Sequence, residues 1–92
     1  MEFIQSKDNK TIKHIIALSQ RKNRQKSGEY IVEGIRSIRD IADMGAVKTV
    51  VIRESKAQDK NLLDLLTLDS VQSAHTYIVQ DPVFDKIDNT VN

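Results

Sequence analysis

The chain alternates between two kinds of apolar pattern, and that alternation restricts its fold more than any other feature. Three short runs carry β-branched and aromatic residues: Tyr30-Ile31-Val32 within 29–34, Val50-Val51-Ile52 within 46–53, and Tyr77-Ile78-Val79 within 75–80. Each has the composition of a strand. Around them, apolar residues recur at helical spacing. Ile12, Ile15, Ile16 and Leu18 predict a first helix capped by Asp8 or Asn9 and losing its pattern near Ser19. Ile35, Ile38, Ile41 and Ala42 predict a second, running to about Met44 and stopped by Gly45. The leucines of 61–68 predict a third. Asp81 as N-cap with Pro82 at the first helical position opens a fourth over 81–87. The order α-β-α-β-α-β-α predicts an α/β fold, a three-layer α/β/α sandwich around a small, mostly parallel or mixed sheet.

A chain of 92 residues has room for one hydrophobic core. The domain is expected to span 1–87, with the polar tail 88–92 as a frayed end or the start of a linker. There are no cysteines, which excludes disulfides and thiolate zinc sites. No apolar run approaches the roughly 20 residues of a membrane helix. The N-terminus lacks the basic head and apolar stretch of a signal peptide. A cytoplasmic location is the expectation.

Net charge is only +1, but it is unevenly spread. Residues 1–40 hold nine Lys/Arg against five Asp/Glu, whereas 41–92 hold five against eight. Four of the cations, Arg21, Lys22, Arg24 and Lys26, fall within six residues that contain no acid. Arg offers a two-pronged donor fork to phosphate and Lys a mobile point charge, so this segment suits a polyanion. It also suits a solvated helix end, where cations complement the C-terminal dipole. Charge alone favours the solvated end.

Other candidates are weaker. Arg36 and Arg39 precede Asp40 and Asp43 by four residues, as ordinary surface ion pairs do. Arg36 also follows Gly34 at an expected strand-to-helix junction, a place where ligands bind in alternating folds. Asp81, Asp85 and Asp88 share a helical spacing, but a hard cation needs about six oxygens in a cage, so a cap and dipole-complementing acids explain them better. His14 and His75 have no legible catalytic partner. Tyr30, Tyr77 and Phe84 are expected in the core, which leaves no base-stacking platform.

In order, Ile4 to Ser6, Asn9 with Ile12-Lys13, Leu18, Arg21-Lys22 with Arg24, Gly28 to Gly34 with Arg36, and Val83-Phe84-Asp85-Lys86-Ile87 form a set. This set resembles the N-terminal substrate-binding domain of the SpoU/TrmH-family RNA 2′-O-methyltransferases, over nearly the whole chain. The resemblance implies a domain shaped like the kink-turn-binding ribosomal proteins. In the family it precedes a knotted domain that binds S-adenosylmethionine, methylates a ribose 2′-hydroxyl of ribosomal or transfer RNA, and forms a homodimer. It implies RNA contacts from Arg21, Lys22, Arg24 and Arg36, with Lys13 and Lys26 adding phosphate contacts and Gly34 making the turn. Glu33 is expected to orient an arginine.

Residues 87–92 diverge from the family's linker, and the chain carries none of the family's cofactor or catalytic residues. These residues are therefore expected to bind RNA without themselves being catalytic, with no metal and no membrane partner. The alternatives are a standalone RNA-binding protein of the kink-turn-binding ribosomal type, and a protein-interaction domain with an incidental basic end.

Overall fold

A computed structural model describes residues 1–91 and shows an α/β sandwich. Among the described residues, three parallel strands, β1 (Glu2–Ile4), β2 (Thr49–Arg53) and β3 (His75–Val79), form one sheet in the order β1-β3-β2. Six helices accompany it: α1 (Lys10–Ala17), α2 (Arg21–Ser27), α3 (Ile35–Ala42), α4 (Lys60–Leu66), α5 (Asp69–Gln72) and α6 (Asp81–Val91). No described helix is long and apolar enough to cross a membrane.

Register explains the three layers. Paired residues of parallel strands share a face, and faces alternate along each strand. Ile4 pairs with Val79, and Val51 with Tyr77. These four side chains meet Ile12 of α1 and Val83 and Ile87 of α6 in one core cluster. Val50 and Ile52 point the other way, together with Ile78, onto Ala42 of α3, Leu62 and Leu65 of α4, and Val71 of α5. Both strand faces are therefore covered, as the apolar runs in β2 and β3 require.

The helix starts follow capping chemistry. Asn9 Oδ1 accepts the Thr11 and Ile12 N–H groups at 2.8 and 3.4 Å, so Asn9 rather than Asp8 caps α1. Asp59 Oδ1 accepts the Leu62 N–H at 3.1 Å and caps α4.

Three sequence expectations need correction. Residues 29–33 form no strand. The segment pairs with neither edge of the three-stranded sheet, so its half-buried Ile31 and Val32 pack without strand hydrogen bonding. Gly28 and Gly34 bound the segment with φ of 72° and 89°, so the chain bends at both ends. The tail is not frayed where it is described. α6 runs on through Val91, which falls four residues after Ile87 on the same stripe and packs against the same cluster. Asn92, the last residue of the expected linker, lies outside the described residues. Finally, Asp81 does not cap α6 but is itself its first residue.

Candidate nucleic-acid interface

The basic segment is a helix of its own, and its orientation follows from its neighbour. The last carbonyls of α1 have no partner within that helix. α2 supplies donors from its inner side. Asn23 Nδ2 donates to the Ala17 carbonyl at 2.8 Å, and Arg24 Nη1 donates to the Leu18 and Ser19 carbonyls at 2.9 and 3.0 Å. Those bonds fix the rotation of a helix that has no buried residue. At about 100° per residue, Arg21, Lys22, Gln25 and Lys26 then occupy the opposite face, and all four are exposed. Gly28, in the left-handed conformation, closes the helix by donating its N–H to the Arg24 carbonyl at 2.8 Å.

The six-residue motif thus separates into two parts. Arg24 is spent on the α1 terminus. Arg21, Lys22 and Lys26 share one outward face and make no ion pair among the described residues. The helix dipole explains only Lys26, in the last turn. Arg21 and Lys22 stand in the first turn, where the dipole repels cations, and no acid lies there to offset it.

The remaining candidates are scattered. Lys13 is exposed on α1. Its neighbour His14 donates from Nε2 to Glu29 Oε1 at 2.6 Å, and Lys48 Nζ lies 3.2 Å from the other Glu29 oxygen. Glu29 therefore ties the end of α2 to α1 and to the entry of β2, and these two partners hold its carboxyl below the ordinary range. Arg36 is exposed in the first turn of α3, and Gly34, with φ 89°, precedes that helix. A Cβ on Gly34 would meet nothing within 4 Å, so the backbone angle, not space, calls for glycine there. Because 29–33 is no strand, Gly34 and Arg36 do not sit at a strand-to-helix junction, and that argument for Arg36 fails. The ion pairs expected from Arg36 to Asp40 and from Arg39 to Asp43 are also not formed. An exposed pair gains too little to hold two mobile side chains together.

The aspartates of α6 serve an arginine rather than a metal. Arg53, at the end of β2, lies 2.7 Å from Asp85 Oδ1 and 3.7 Å from Asp81 Oδ2, with its guanidinium 4.5 Å from the Phe84 ring centroid. Asp81 also accepts the Ser55 N–H at 3.0 Å, and its pKa is lowered first by Ser55 and then by Arg53. Among the described residues, no group of three or more His, Cys, Asp or Glu side chains is placed to hold a metal ion.

Tyr30 departs most from expectation. It is 66% exposed rather than in the core. It lines a groove of about 260 Å³ with Leu18, Ser19, Arg24, Ile31 and Val91. A wider, shallower cleft of about 550 Å³ lies at the carboxyl ends of β1 and β3, with Lys7 and Lys86 on its walls beside Gln5, Ser6 and Gln80. Neither Tyr30's exposure nor Glu29's bridging role was visible in the sequence. The first depended on the fate of 29–33, and the second joins residues 15 and 19 positions apart.

Compared with known protein families, residues 9–92 match the model of the MRM3-like substrate-binding domain. Searches of curated proteins and of solved structures each found no match.

Proposed function

The chain belongs to the MRM3-like substrate-binding domain family, and from that premise we propose that it recognises RNA on behalf of a ribose 2′-O-methyltransferase. The observation that carries this reading is the outer face of α2. Arg21 and Lys22 are held at the positive end of a helix with no internal anion to offset them. An RNA phosphate supplies that anion, and Lys26 extends the same face toward a second. Lys13 and Arg36 are outlying phosphate contacts in this reading. Arg24 and Gly34 act through structure, one anchoring α2 and the other turning the chain into α3.

The methyl transfer itself is assigned to a separate domain of the kind that follows this one in the resembled family, acting in the cytoplasm on ribosomal or transfer RNA and carrying the contacts of a homodimer. S-adenosylmethionine would supply the methyl group there. The residues described here do not fit that cofactor. No polar or charged side chain is buried, no buried side-chain nitrogen or oxygen lacks a partner, and both clefts are shallow. No catalytic step is therefore placed on them.

The test is the salt dependence of RNA binding. Fluorescence anisotropy of a labelled RNA stem-loop, titrated with the chain at several salt concentrations, is expected to show log K falling with log salt. Neutralising four to six phosphates gives a slope of about −3 to −5. Absence of binding at low salt would overturn the reading.

A further inference from the structure

Tyr30 is a large ring held outside the core by a backbone that is fixed on both sides. Before it, Gly28 caps α2 and Glu29 is clamped by His14 and Lys48. After it, Ile31 and Val32 are half-buried. The backbone therefore carries the Tyr30 side chain at a defined point, at the end of the cationic helix. Arg24 enters the same groove with its guanidinium already oriented by two carbonyls. Leu18 and Ile31 supply apolar walls. At about 260 Å³ the groove falls below the size of pockets that hold whole small-molecule ligands, and it suits a single flat ring.

We infer that this groove receives one unpaired RNA base, stacked against Tyr30 with the structurally held Arg24 as a wall of the groove, while the outer face of α2 holds the adjoining backbone. The inference rests on the RNA-binding reading and deepens it. It makes the preferred substrate an RNA with an unstacked base, not an uninterrupted duplex. The chemistry is general: unpaired bases stack on aromatic rings and guanidinium planes, while a paired helix presents mainly phosphate and 2′-hydroxyl groups. Charge complementarity names the occupant. A base enters the groove only as part of a polyanion, and the exposed unpaired cations are on the adjoining helix.

The chain has two tyrosines and no tryptophan. In a Y77F background, Tyr30 is thus the sole tyrosine emitter. Adding single-stranded oligo-uridine at low salt is expected to quench that emission as the base stacks, and a blunt-ended, fully paired RNA duplex is expected to leave it nearly unchanged. Y30A is expected to weaken oligo-uridine binding by about 5- to 150-fold, with Y30F close to wild type and duplex binding little altered. Oligo-uridine binding that neither quenches Tyr30 nor changes in Y30A, yet is lost in R21A/K22A/K26A, would overturn the base site and leave the RNA reading intact. Failure of the unaltered chain to bind either RNA would overturn both.

Discussion

Arg53 and the outer cations of α2 carry the same charge and are treated in opposite ways. Arg53 is half-buried, stacked on Phe84 and paired with Asp81 and Asp85. Every element of its surroundings comes from this chain, and its role is to hold β2 to α6. Arg21, Lys22 and Lys26 are exposed on a helix with no buried side chain and no acid. Their helix is kept in place by Asn23 and Arg24 on its inner side, so the outer cations contribute nothing evident to the fold. A charge already neutralised within the chain points to structure. A set left on one face, partly against its own helix dipole, points to a partner.

This contrast can be broken by substitution. The largest effect is expected for R21A/K22A/K26A, which should lower RNA affinity at low salt more than tenfold and keep thermal stability within about 0.5 kcal/mol of wild type. R53A is the mirror case: its melting temperature falls and its RNA affinity holds. If R53A weakened RNA binding as much as the triple variant, the division between internal and outward charge would be wrong.

R24A sharpens the contrast inside the motif itself. It leaves the Leu18 and Ser19 carbonyls at the α1–α2 corner without their guanidinium donor, and should cost about 1–2 kcal/mol in denaturant unfolding, unlike any single outer cation. The smallest effect concerns acid. The Glu29 carboxyl is held below its ordinary 4.5 by His14 and Lys48. A lowered folded-state pKa gives stability that is present above the ordinary value and is lost as pH falls through the folded one. Wild type should therefore lose stability relative to E29Q as pH falls from about 4.5 through the lowered folded value.

Much of this fold was legible because its elements have clear periods. β2 and β3 are β-branched runs, and the stripes of α1, α3, α4 and α6 repeat at helical spacing. β1 is only three residues long, too short to show alternation, and α5 has four. Residues 29–33 have strand composition without strand pairing, because pairing depends on tertiary neighbours more than on local preference. That misreading also concealed Tyr30, whose core position followed only from an assumed strand. At the candidate site, the sequence located the cations but not their faces. Two hydrogen-bonding residues, Asn23 and Arg24, decide which side of α2 is outward, and their acceptors are backbone carbonyls that no composition reveals.

The central claim is that three outward cations of α2 meet RNA phosphates. It is tested most directly by comparing the salt slope of RNA binding for the unaltered chain and for R21A/K22A/K26A. If each cation neutralises one phosphate, the slope should become shallower by about 2 to 3 in the variant. An unchanged slope with unchanged affinity would contradict the account.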